Sequence, residues 1–211
     1  MIKKNCKIIC VLIIILFLNG CYSDDGFLIK DNKERTIICF GDSLTEGYRL
    51  PKEDSYPSLL QVKLEEEGYD NYTVINEGIS GDTTLDALKR VDKILTQNPD
   101  LIILAVGAND GLQREDPLSI ESNLRMLVKR ILDKNIKLLL VGMEMPINLG
   151  LTYRSEFNDI YPKISDEFDL VLVPFMLKDV ANYRNLNLDD NIHPNAQGYK
   201  IVLDNIWEYL Q

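Results

Sequence analysis

Histidine is almost missing from this chain. Among 211 residues there is one, His193. A metal centre built on a histidine cluster is thereby excluded, and the acidic residues are too scattered to replace it. Any chemistry that needs an imidazole within this chain must use His193. Cysteine is nearly as scarce. Cys6, Cys10 and Cys21 lie close to the N-terminus, and only Cys39 lies further on. One thiol beyond that region excludes a disulfide framework, and Cys39 reads as a small core residue. Basic charge is also short: 23 Lys and Arg stand against 33 Asp and Glu, a formal charge of −10. Nucleic acid is excluded as a partner on that ground, because phosphate contacts need a basic face. No repeat with a period of roughly 20–50 residues is present, which excludes a solenoid. The longest apolar run, Ile8 to Leu18, has about 11 residues, well short of the roughly 20 that a membrane-spanning helix needs.

That short run has a meaning of its own. Lys3, Lys4 and Lys7 form a cationic start, the apolar run follows, and the segment closes on Leu18-Asn19-Gly20-Cys21. The pattern is that of a secretory signal. Its end resembles a bacterial lipobox, whose cysteine is lipidated and becomes the first residue of the mature protein. The resemblance implies a signal peptide over residues 1–20, lipid on Cys21, and export to the bacterial cell envelope with attachment to a membrane; an uncleaved N-terminal anchor is the rival reading. Loss of the three lysines would change the formal charge from −10 to −13. A chain that acidic is repelled by anionic lipid, so attachment rests on the lipid itself. Residues 22–35 are polar and without periodicity. They read as a flexible tether of about 14 residues, spanning on the order of 20 Å.

From residue 36 to 211 the pattern is that of one domain. Continuous apolar runs mark strands at Thr36–Phe40, Tyr72–Asn76, Leu101–Val106, Lys137–Gly142 and Leu170–Val173. Helical stripes alternate with them: Tyr56 to Leu64, Leu85 to Leu95, Ile120 to Ile131, Arg154 to Phe168, and Tyr199 to Leu210, the last with Pro194 placed to start it. Strands that are apolar throughout, each followed by a helix, predict a parallel sheet covered on both faces. The expected fold is therefore α/β with a five-stranded parallel sheet.

Chemistry gathers where these strands end. The run Ile37-Ile38-Cys39-Phe40 stops at Gly41-Asp42-Ser43-Leu44, and the third strand stops at Gly107-Ala108-Asn109-Asp110. Gly81 follows the second strand, and His193 lies in Asp190-Asn191-Ile192-His193. The carboxyl edge of a parallel sheet is where open α/β folds bind ligands. A serine there is a weak nucleophile until a base takes its proton, and the sole histidine is the only imidazole available. A plain turn or cap role is the rival reading for each of these residues taken alone. Asp42, Asp82 and Asp110 are expected to hold loops or cap helices.

Together, in this order, the four segments resemble the blocks of the GDSL/SGNH hydrolases, over about Thr36 to Leu210. Met143–Ile147, Tyr161-Pro162-Lys163 and Gly111-Leu112 resemble the arylesterase, thioesterase and lysophospholipase branch. The resemblance implies a three-layer α/β/α flavodoxin-like fold. It implies Ser43 as nucleophile, His193 as base, and Asp190 as the residue that orients the imidazole, with Asp189 as an alternative. The oxyanion donors it implies are the backbone N–H groups of Ser43 and Gly81 and the side-chain amide of Asn109. The serine is not in Gly-x-Ser-x-Gly, so an α/β-hydrolase elbow is not expected. No cofactor and no metal are implied.

Leu112, Met145, Ile147, Leu149 and Leu151 fall near the same edge. They read either as the lining of an acyl groove or as loop anchors. The substrate expected is a small-molecule or lipid acyl ester or thioester. An envelope carbohydrate O-acetylesterase and a non-catalytic lipoprotein that uses the fold for binding are the two rival readings.

Overall fold

The computed structural model describes residues 26–211. The expected signal peptide, residues 1–20, and Cys21 lie outside them. Five strands form one parallel sheet: β1 (Arg35–Gly41), β2 (Tyr72–Gly78), β3 (Leu101–Ala105), β4 (Lys137–Val141) and β5 (Val171–Val173), in the order β2-β1-β3-β4-β5. This is the flavodoxin-like order, with its switch point between β1 and β3. The chain runs one way from β1 to β2 and the other way from β2 to β5. Right-handed crossovers therefore place the connecting helices on opposite faces. The helices are α1 (Ser43–Glu46), α2 (Tyr56–Glu66), α3 (Thr84–Leu95), α4 (Ala108–Gln113), α5 (Pro117–Leu132), α6 (Leu151–Asn158), α7 (Ile160–Phe168) and α8 (Ala196–Trp207). Packing follows that rule: α2 lies against α8, while α3 lies against α5 and α5 against α7.

The three-layer α/β/α arrangement explains the sequence of the strands. Ile37, Ile38, Cys39 and Phe40, with Ile102, Ile103 and Leu104, have no solvent exposure, as expected of strands covered on both faces. Gly41 is level with Gly78 on one side and Ala105 on the other. The loops after β1, β2 and β3 thus leave the sheet at one height. Gly41 is required there, because a Cβ would sit 2.3 Å from the carbonyl oxygen of Ala105.

Three expectations need correction. The single helix from Arg154 to Phe168 is two helices that meet at Asp159. Pro162 accounts for the break: it has no N–H for the carbonyl of Asn158, and its ring crowds that carbonyl. The last helix starts at Ala196, capped by the side chain of Asn195, while Pro194 bridges to Asn187 instead. The expected tether is not free over its second part. Phe27 and Leu28 pack against the core, and the Ile29 N–H donates to the Tyr72 hydroxyl at 2.8 Å. The Lys137 ammonium donates to the Gly26 carbonyl, and the Asn71 amide to that of Lys33 at 2.7 Å. Residues 26–34 are a strap laid along the amino-terminal edge of the sheet. Two apolar side chains and a set of hydrogen bonds hold a stretch that has no periodicity to announce it.

Candidate active site

Asp42 ends β1 and caps α1, its carboxylate accepting the Leu44 N–H at 2.9 Å. That tight turn puts Ser43 at the first position of α1, where its own N–H has no partner within the helix. The loop before α8 returns His193 to it: imidazole Nε2 lies 2.9 Å from Ser43 Oγ, and Nδ1 lies 2.9 Å from Asp190 Oδ2. Asp190 also accepts the N–H groups of Ile192 and His193 through Oδ1, at 2.9 and 3.0 Å. Partial burial pushes its carboxyl up, but these backbone bonds and the imidazole outweigh it and bring it down to about 2. Asp190 is therefore anionic at neutral pH and rigidly aimed.

Beyond the end of β2, Gly81 adopts φ +88°, with open space where a Cβ would be. Only glycine takes that conformation without strain. The Glu46 carboxylate secures this loop by accepting the N–H of Ser80 at 2.8 Å. Asn109 stands at the start of α4. One hydrogen of its side-chain amide goes to the Asp82 carbonyl at 2.9 Å, and the other has no partner among the described hydrogen bonds. Beside these groups runs a cavity of about 560 Å³, lined by Leu44, Ala108, Leu112, Met143, Met145, Ile147, Phe175, Leu177 and Ile192. Glu144 and Arg154, paired at 3.0 Å, form a polar part of its wall.

Residues 39–201 match the GDSL-like Lipase/Acylhydrolase family. An arylesterase of Vibrio mimicus is 41% identical over 162 residues, 76% of this chain and 80% of that protein. The thioesterase 1/protease 1/lysophospholipase L1 of Escherichia coli strain K12 is 34% identical over 177 residues, 83% of each chain. The crystal structure of psychrotrophic esterase EstA from Pseudoalteromonas sp., inhibited by monoethylphosphonate, superposes with a TM-score of 0.78 at 32% identity. It covers 85% of this chain and 96% of that one. This chain belongs to the GDSL-like lipase/acylhydrolase family. It is an ester-hydrolysing serine hydrolase.

Of the site residues expected of this hydrolase, Ser43, His193 and Asp190 are joined in one hydrogen-bonded chain, while Gly81 and Asn109 stand beyond the ends of β2 and β3, tied together through the Asp82 carbonyl. Asp189 makes no contact with the imidazole in the described hydrogen bonds, whereas Asp190 does. Leu112, Met145 and Ile147 line the groove, and Leu149 and Leu151 do not. The chain reverses at Gly150, which has φ +94°. Leu149 turns in to pack on the core and Leu151, at the start of α6, is 70% exposed. Phe175 and Leu177 complete the groove, beyond the residues that the sequence singles out. Their signal was available, since they follow β5 at the same edge as the other loops.

Two further residues of the hydrolase site carried no sequence signal. The Tyr48 ring lies on the His193 imidazole, with centroids 4.4 Å apart and planes 39° apart, and the Arg49 guanidinium lies 5.6 Å from the Tyr48 ring centroid. Arg90 donates to the Gly41 and Glu77 carbonyls at 2.9 and 3.0 Å and pairs with Asp82 at 2.6 Å. It thereby ties the ends of β1 and β2 to the loop that holds Asn109. Asp110 accepts the N–H and hydroxyl of Thr84. Asp42, Asp82 and Asp110 thus hold loops and caps, in keeping with the sequence. Burial, and then the negative charges of Asp110 and Asp82, push the Asp42 carboxyl up to about 7. Burial pushes the Cys39 thiol up to about 12, which keeps it out of nucleophilic chemistry.

Proposed function

We propose that Ser43, His193 and Asp190 work as a triad on esters or thioesters of medium and long acyl chains. The observation that carries this reading is the continuous Asp190–His193–Ser43 chain, both contacts at 2.9 Å, at the mouth of an apolar groove. Nδ1–H donates to Asp190, so Nε2 is free to accept the serine proton. Ser43 Oγ attacks the carbonyl carbon as its proton passes to Nε2. The carbonyl oxygen becomes an oxyanion facing the N–H groups of Ser43 and Gly81 and the amide of Asn109. Imidazolium then gives its proton to the departing alkoxide or thiolate, leaving Ser43 acylated. Water attacks the acyl-enzyme with His193 as base again, and the acid is released. Tyr48 faces the imidazolium formed in both steps, a cation–π arrangement that favours the charged ring.

Relatives named as an arylesterase and as a thioesterase/lysophospholipase support this chemistry. The groove, at about 560 Å³, supports long acyl groups over acetyl. The Leu18–Cys21 segment supports a lipid anchor on Cys21 and a place in the bacterial envelope. The test is labelling with a fluorophosphonate, then rates on aryl esters graded from acetyl to palmitoyl. We expect labelling of the natural chain and none of Ser43→Ala, with turnover rising beyond acetyl. Fastest turnover of acetylated sugars would replace this reading with a carbohydrate O-acetylesterase. Absence of both labelling and turnover would leave a binding lipoprotein.

A further inference from the structure

The strap and the catalytic residues lie at opposite edges of the sheet. Gly26 is held by Lys137, the first residue of β4, and Ile29 by Tyr72, the first residue of β2. Ser43, Gly81 and Asn109 all lie beyond strand ends. The seven residues of β1 that separate the two edges span on the order of 20 Å. Only residues 22–25 stand between Cys21 and the held Gly26. Even fully extended, five Cα steps cover at most ~18 Å. A domain of this size is on the order of 40 Å across. With the linker at full stretch and the domain rolled on its side, the mouth of the groove stays on the order of 20 Å from the headgroups.

Charge gives the strap edge no preference of its own. The cavity of about 790 Å³ under the strap has Lys33, Arg35, Lys134 and Lys137 on its walls against Asp92 and Asp100, but Asp31, Glu34 and Asp70 stand against Lys30 on the neighbouring surface. The orientation rests on the length of the linker. The exposed apolar side chains at the groove, Ile147 and Ile192, lie on the edge turned away.

We propose that the anchored enzyme opens away from the bilayer that holds it, and that its substrates are acyl esters and thioesters arriving through the aqueous compartment, not lipids of that bilayer. This rests on the anchored-esterase reading above. A lipid ester carbonyl lies below the headgroups, so cleavage there would need Ser43 at the surface.

The experiment couples the mature chain, residues 21–211, through the Cys21 thiol to a maleimide lipid in vesicles. Cys39 is buried and does not compete. Two substrates are compared: a water-soluble aryl butyrate, and a fluorogenic ester carried on a diacyl lipid in the same vesicles. A second chain carries about thirty Gly and Ser residues between Asp25 and Gly26, enough to reach around the domain. We expect both chains to turn over the soluble ester equally. The longer linker should raise cleavage of the vesicle-borne ester by about tenfold or more. Equal cleavage of that ester by both chains overturns the orientation. No turnover of the soluble ester overturns the esterase reading instead. The intact mass of the protein from membranes, with Cys21 unlipidated, would overturn the anchor and the orientation with it.

Discussion

At the base of the sheet, charges are paired to hold the chain down. The Asp31 carboxyl is held well below the usual carboxylate range by hydrogen bonds from the Arg35 guanidinium and the Lys33 N–H. Lys33 reaches Asp100, and Lys30 donates to the Glu67 carbonyl while lying over the Tyr69 ring. At the catalytic edge the carboxyls diverge: against partial burial, backbone hydrogen bonds and the imidazole bring Asp190 down to about 2. Burial raises both Asp42 and Asp110, and Gly81 takes a conformation that other residues resist. One edge is arranged to be stable, and the other, on the mechanism proposed above, meets a charge that exists only during the reaction. The same sheet supports both because its strands are rigidly buried between them.

Substitutions on the two edges should separate the two purposes. The largest effect we expect is at the oxyanion. Asn109→Ala should lower kcat by roughly 10²–10³ with little change in KM, because its amide acts on charge absent from the ground state. Loss within threefold, with the fold intact by circular dichroism, would remove Asn109 from the mechanism.

The Asp42 carboxyl should affect stability through pH. Its folded value of about 7 lies above the model value of 3.8. The folded state keeps the proton that the unfolded chain loses, so stability falls as pH rises from about 4 to about 7 and then levels. Asp42→Asn keeps a cap oxygen for Leu44 and does not titrate. The variant should match the natural chain near pH 4 and exceed it by a few kcal/mol at pH 7–8. Parallel stability curves would show that Asp42 is ionised at little cost.

The base should behave in the opposite way. Phe27→Ala removes apolar contact under the strap and should reduce stability by about 1–2 kcal/mol, with kcat and KM unchanged. A fall in kcat without a fall in denaturation midpoint would mean that the two edges communicate. The smallest effect belongs to the stacked ring. Tyr48→Leu should lower kcat about fivefold to tenfold, and Tyr48→Phe less than twofold, since the face and not the hydroxyl meets the imidazole. Equal losses in both variants would point to the hydroxyl instead.

How far the sequence disclosed these edges follows from the physics of each. The strands were legible because burial on both faces demands unbroken apolar runs, and their ends marked where Ser43, Gly81 and Asn109 would gather. His193 was legible because no second imidazole competed with it. Strand order was not, since it resides in crossover direction and not in any residue pattern. The strap was misread as tether because two apolar residues and scattered hydrogen bonds leave no period. Pro162 did mark the break between α6 and α7, four residues past the carbonyl it cannot bond. Tyr48 acts through one contact to a distant loop and Arg90 through contacts to the ends of two strands and a loop, which no spacing within the chain can announce.

The proton transfer between Ser43 and His193 is open to one direct measurement. With a single histidine in the chain, its imidazole resonance needs no assignment. Its titration by NMR can be set beside the pH profile of kcat/KM, with chemistry shown to be rate-limiting. We expect one shared midpoint, and in Asp190→Asn a kcat that falls far more than KM changes, because a neutral partner no longer holds the imidazole in the right tautomer. Midpoints more than about one unit apart would contradict His193 as the base that activates Ser43.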